Sequence, residues 1–272
     1  MIRDINYDSN RVMSSKLFIM VPHSGRNYEK KFLKLTKVRL SELRKSEDCF
    51  VDLIFKDLKL KFNFLSANFP RIFVDVNRSP LEIDINMWKN ILVNKARFNN
   101  TSKVLSGIGV FPKISFNGNL LYENSLPYSE ARKRLLNYYF PYHKKLKDYL
   151  KDIKSHFNNI VALDCHSMGS IIVDKNTDII LSNNYGKTSS MTVLNSIKDI
   201  FNMYGFKVKI NTPFVGGFIS RFYGKPDKGM HLIQIEINKK IYLSENNFIL
   251  REEGFNKLKN CFSAIINYIN KN

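Results

Sequence analysis

Ten side chains of this chain have types and placements that could do chemistry. They are His23, Asp48, Arg71, Asp75, Asn77, Arg78, Asp164, His166, Arg221 and Glu236. Most follow an apolar run. Ile160 to Leu163 lead into Asp164, Cys165, His166 and Ser167; Leu17 to Val21 lead into Pro22 and His23; Ile72 to Val74 lead into Asp75, Asn77 and Arg78. Polar residues at the carboxyl ends of buried strands are where α/β proteins place their chemistry. Two histidines and a carboxylate make the donor set of many hydrolytic zinc sites. Zinc held so lowers the pKa of a water to about 7 and polarises a carbonyl. A carboxylate off the metal can move the proton, and guanidinium groups can hold a substrate carboxylate bidentately. Each residue also has a plain reading: Asp48 as a helix cap, and His143, beside an apolar face, as a hydrogen-bonded core histidine.

The elements that must position these groups follow from periodicity. Runs 16–21, 72–74, 160–163, 178–181, 206–210 and 230–237 read as strands, and 216–221 as a glycine-started strand carrying Arg221. Helical spacing marks Phe50, Leu53, Ile54, Leu58 and Phe62, a helix near 190–204, and an amphipathic helix from Gly254. A long helix over 129–157 is expected to kink near Pro141. Strands alternating with helices, without a linker or repeat, predict one α/β domain over residues 1–272, with a mixed central sheet flanked by helices.

Composition narrows the function classes. No run approaches the roughly 18 apolar residues of a membrane span. The amino terminus shows no apolar leader core. Cys49, Cys165 and Cys261 are scattered, which suits a reducing cytoplasm better than a disulfide framework. The formal net charge of +19 could attract polyanions. However, the lysines are spread along the chain with no nucleic-acid-binding motif beside them, so a small anionic substrate is expected rather than a specific nucleic acid.

A resemblance rests on motifs that occur in order: PHSGR (22–26), SED (46–48), FPRIFVDVNRSPLEID (69–84), GIGVFPKI (107–114), YFPYHKKL (139–146), DCHSM (164–168), NTPFVGGFISRFYGKP (211–226) and HLIQIEIN (231–238). The chain resembles the N-formylglutamate amidohydrolases, in the zinc-carboxypeptidase-like superfamily that includes aspartoacylase. The resemblance implies a zinc-carboxypeptidase-like (phosphorylase/hydrolase-like) fold. It implies one zinc, or another divalent metal, held by His23, His166 and Asp48, with Glu47 and Asp52 as substitutes for the third ligand. Arg26 stands where the superfamily's HxxE motif has its glutamate. The resemblance further implies Glu236 as general base, Asp164 orienting His166, Asn77 and Arg78 holding the substrate's α-carboxylate with Asp75 bracing them, Arg71 at the oxyanion, and Arg221 at the side-chain carboxylate. The arginine roles are interchangeable. The implied reaction is hydrolysis of N-formyl-L-glutamate in histidine degradation, or of another N-acyl amino acid or small peptide on the same scaffold. A metal-free basic binding protein is the reading of a different class.

Overall fold

The computed structural model describes residues 7–272, so the start of the amino-terminal stretch read above lies outside the described residues. The described residues fold as two compact units interleaved in sequence: residue 7, 23–47 and 67–146 in the first, and 8–22, 48–66 and 147–272 in the second.

The second unit is built on a seven-stranded sheet. Its strands are β1 (Tyr7–Asn10), β2 (Leu17–Val21), β3 (Asn63–Ala67), β4 (Ile160–Met168), β5 (Ile179–Ser182), β6 (Val208–Ile210) and β7 (Met230–Asn238), in the order β1-β3-β2-β4-β7-β5-β6. The pairs β2–β3, β2–β4, β4–β7 and β5–β6 are parallel, whereas β5 runs antiparallel to β7. The expected mixed α/β fold is therefore present. All of β2 and β4 is buried, as strands covered on both faces must be.

Side-chain alternation divides this sheet by chemistry. Odd-numbered Leu17, Ile19 and Val21, Val161, Leu163 and Cys165, and Ile233, Ile235 and Ile237 join one apolar cluster. Two helices complete it: Met191–Met203 through Leu194, Ile197 and Phe201, and the C-terminal Glu252–Lys271 through Leu258, Cys261, Phe262, Ile265, Ile266 and Ile269. At about 1.5–3 kcal/mol for each buried Leu, Ile or Phe, the stripe of the last helix alone contributes on the order of 10 kcal/mol gross. The even positions then face the other way, and there the sequence places Asp164, His166, Gln234 and Glu236.

Three expectations are corrected. β4 does not stop at Leu163 but runs through the polar residues to Met168, because β7 pairs with it from Ile160↔Met230 to Met168↔Asn238. Residues 72–74 are a buried turn and not a strand; the neighbour of β2 is β3 instead, and the helical pattern expected before it is split into a short helix, Val51–Ile54, and a 3-10 helix, Lys56–Lys61. Residues 216–221 are not a strand either, since Phe218–Tyr223 is helical and starts after an extended Gly217. The strand at 230–237 and the helix at 190–204 form within a residue or two of the expected bounds.

The first unit holds the loop Arg71–Arg78 against an aromatic cluster, with Phe73 packed on Phe32 and Tyr138. The expected long helix is three segments: Tyr128–Arg134, a π turn at Leu135–Tyr139, and Phe140–His156. Pro141 has no N–H to give the preceding turn. The Phe140 N–H bonds the Leu135 carbonyl in the wider i to i+5 pattern. No helix among the described residues is long and apolar enough to cross a membrane.

Candidate metal centre and substrate loop

In the second unit the site is a consequence of register. His166 of β4 stands opposite Glu236 of β7, and Asp164 opposite Gln234, so four polar side chains share one face of two adjacent parallel strands. Burying such groups is tolerated only where they are paired, and they are. His166 Nδ1 lies 2.9 Å from Asp48 Oδ2, and its Nε2 lies 3.0 Å from Asp164 Oδ1. The Ser167 hydroxyl donates to Asp48 Oδ1 at 3.2 Å, and Glu236 Oε1 accepts from the Gln234 amide at 2.8 Å. Burial alone would lower the pKa of His166. The charges of Asp164 and Glu236, with the hydrogen bonds of Asp164 and Asp48, outweigh it and raise the imidazole well above its ordinary value. These surroundings stabilise positive charge at His166.

The backbone explains why Asp48, and not Glu47, reaches this cluster. Glu47 is extended (φ −71, ψ 148) after a 3-10 turn at Arg44–Ser46, so consecutive side chains leave on opposite sides. Within the first unit, Glu47 accepts from Tyr28 at 2.8 Å and from Arg44 at 3.3 Å. Within the second, Asp48 meets His166 and Ser167. Nor does Asp48 cap the helix that follows: the cap position is Phe50, in the left-handed region at φ 63. Asp52 lies in that helix's first turn, half-buried.

In the first unit the centre is Asp75. Its Oδ1 accepts from His23 Nε2 and from the Asn77 N–H, each at 2.8 Å, and its Oδ2 accepts from Arg71 at 2.7 Å. Burial pushes this carboxyl up, but Arg71, then His23 and Arg78, hold it well below the usual carboxylate range. His23 itself follows β2 by two residues. The glycine of PHSGR is needed there, because a Cβ on Gly25 would collide with the Phe69 carbonyl. Arg78 donates to the carbonyls of Ile108 and Asn77, both at 3.0 Å.

Three side chains from the 128–156 helical segment hold the carbonyls of this loop. Arg134 donates to Phe73 O at 3.1 Å, Tyr139 to Arg78 O at 2.7 Å, and His143 Nε2 bonds Val76 O at 2.8 Å. The π turn lies between Arg134 and His143 in sequence and sets the phase of the three. Tyr139 and Arg134 escape a reading from sequence, since aromatic and arginine residues at helical spacing look like ordinary packing. His143 is buried and bonded to backbone, as its plain reading expected.

A model of the N-formylglutamate amidohydrolase family matches residues 15–243. The chain belongs to this family. It is 28% identical over 144 residues to the N-formylglutamate deformylase of Pseudomonas aeruginosa, covering 50% of this chain and 54% of that protein. It is 30% identical over 153 residues to the Pseudomonas putida deformylase, covering 53% and 57%. The matched region thus spans a little over half the length of these relatives. Among solved structures, the fold is similar to the N-formylglutamate amidohydrolase of Ralstonia eutropha, at TM-score 0.90 and 23% identity over 98% of both chains. It is also similar to a gene product of Agrobacterium tumefaciens, at TM-score 0.70 and 14% identity over 97% and 93%.

Within this family member, the donor chemistry fits a metal ion. Each histidine has its Nε2 turned to an aspartate, Asp75 for His23 and Asp164 for His166, the arrangement that fixes a ligating imidazole. The 2.9 Å between His166 Nδ1 and Asp48 Oδ2 is close to the roughly 3.3 Å that two ligands on one tetrahedral zinc show. Asp48 and His166 of the second unit are buried and in contact, a pair of metal-donor types, and His23 of the first unit is a buried donor of the same kind. Arg221 is exposed on its short helix, with its Nε donating to Gly217 O at 3.1 Å.

Proposed function

We propose that the chain hydrolyses the formyl amide of N-formyl-L-glutamate to formate and L-glutamate, the last step of one histidine-degradation route, using zinc or a similar divalent ion held by His23, Asp48 and His166. The observation that carries this reading is the shared face of β4 and β7. There a buried His166–Asp48 pair stands in register with a carboxylate, Glu236, on the next strand. Family membership and the names of the relatives supply the substrate.

When bound, the ion would polarise the formyl carbonyl and lower the pKa of water to about 7. The protein's own groups do the rest. Glu236 takes a proton from the attacking water and returns it to the leaving nitrogen. Arg71, tied to Asp75, supports the oxyanion; a donor of this kind typically contributes about 3 kcal/mol. Asn77 and Arg78, on the loop braced by Asp75, hold the α-carboxylate. Arg221 pairs with the side-chain carboxylate. The surplus of positive charge draws in the small dianion.

We read residues 1–272 as one domain, because the chain passes between the two units five times, at 7/8, 22/23, 47/48, 66/67 and 146/147. Three free, buried cysteines support a reducing cytoplasm as its compartment.

The test is formate release from N-formyl-L-glutamate, with and without added zinc, beside N-acetyl-glutamate and N-formyl-aspartate. Zinc-dependent turnover that is fastest on the first substrate is expected. Glu236→Gln should lower kcat by about 10²- to 10⁴-fold with zinc still bound. Bound zinc without turnover on N-formyl-L-glutamate would refute the substrate, and near-normal turnover by the variant would remove Glu236 from the mechanism.

A further inference from the structure

Gln234 and Glu236 stand two residues apart on β7, so the pleat puts both side chains on the face that carries Asp164 and His166. The Gln234 amide is bonded at both ends. Its Oε1 accepts from the Gly217 backbone N–H at 2.6 Å, and its Nε2 donates to Glu236 Oε1 at 2.8 Å. A primary amide can be turned end for end, but a backbone N–H can only donate. Gly217 therefore requires the oxygen of Gln234 to face it, and the amide NH2 must then face Glu236. That group has no lone pair to offer, so Glu236 Oε1 must act as an acceptor.

We propose that Gln234 is a positioning residue that assigns the two oxygens of Glu236: Oε1 is kept as the acceptor of the Gln234 amide, and proton exchange runs through Oε2. This rests on the reading of Glu236 as general base. One O–H bond of the attacking water breaks and its proton goes to Oε2. The same proton then passes from Oε2 to the nitrogen of the departing glutamate as the C–N bond breaks. No proton crosses Gln234. The same amide ties the base to the segment Gly217–Tyr223, on which Arg221 lies, so the base and an anion-binding side chain share one anchor.

The test is steady-state hydrolysis of N-formyl-L-glutamate by the zinc-loaded full chain carrying Gln234→Met, which keeps length and volume and removes both bonds. A misplaced general base costs up to about 10²-fold. kcat is expected to fall about 10- to 100-fold, with KM within about threefold of wild type and one zinc per chain retained. In the Glu236→Gln background the same substitution should leave the residual kcat unchanged, because no base remains to be positioned. Gln234→Glu keeps an acceptor for Gly217 but withdraws the donor, and carries the same expectation if the methionine variant does not fold. Wild-type kcat in the Gln234 variants, or an equal fold-loss in both backgrounds, would overturn the proposal while leaving Glu236 as the base. Near-normal turnover by Glu236→Gln alone would overturn both.

Discussion

Replacing Asp75 with asparagine removes the charge from a buried carboxylate that three donors share. The side chain keeps its shape but only one acceptor oxygen. If that oxygen stays with His23 Nε2 and the Asn77 N–H, the new NH2 faces the Arg71 guanidinium, formerly bonded at 2.7 Å. If the amide turns round, His23 and Asn77 lose their acceptor. Either way one charge-assisted bond is lost, about 1.5–3 kcal/mol, and a donor is left against a donor, about 1–3 kcal/mol more. The Arg71 side chain is 26% exposed, so water offsets part of that, and a loss of about 3 kcal/mol at pH 7 is expected, at the low end for breaking a buried pair. Urea unfolding of chelator-treated protein measures it, followed by the fluorescence of the lone tryptophan, Trp88, and by far-UV dichroism. Coincident curves are also what a single domain requires.

The pH dependence has a fixed sign. The folded-state pKa of Asp75 is depressed, so its contribution is complete above the unfolded value of about 3.9 and is lost as pH falls below it. The gap between wild type and Asp75→Asn should narrow as pH falls below about 4. A gap under 1 kcal/mol at pH 7, or one that does not narrow in acid, refutes the role given to Asp75.

Two further outcomes test the parts around this centre. Asp164→Asn should weaken zinc binding about 10- to 100-fold, since Asp164 fixes His166 through Nε2; titration against a chromogenic chelator reads this, and unchanged affinity removes Asp164 from the metal site. Tyr139→Phe deletes the bond to the Arg78 carbonyl, about 1 kcal/mol. KM for N-formyl-L-glutamate should rise roughly fivefold with kcat steady, and a loss in kcat alone would contradict a role confined to holding the substrate loop.

Apolar runs and alternation sufficed to locate β2, β4, β7 and the last two long helices, because burial on a regular element leaves its period in the chain. The same signal misled at 72–74 and 216–221. Both stretches carry buried residues without being strands, and periodicity reports burial rather than the partner of each N–H and C=O. The carbonyls of Phe73, Val76 and Arg78 are satisfied by Arg134, Tyr139 and His143, more than 60 residues downstream. No local pattern encodes such a pairing.

For the candidate site, residue types and motif order alone pointed to the proposed donors: two histidines, acids in the SED and DCHSM stretches, and the arginines of DVNR and ISRFY. Tertiary structure decided which of them meet within each unit. An extended backbone at Glu47 turns Asp48, and not its neighbour, to His166. The β4–β7 register sets Glu236 opposite that histidine and places Gln234 two residues before it. These choices depend on strand pairing across about 70 residues of intervening chain. A shift of that register by one residue would send Glu236 to the apolar face of the sheet.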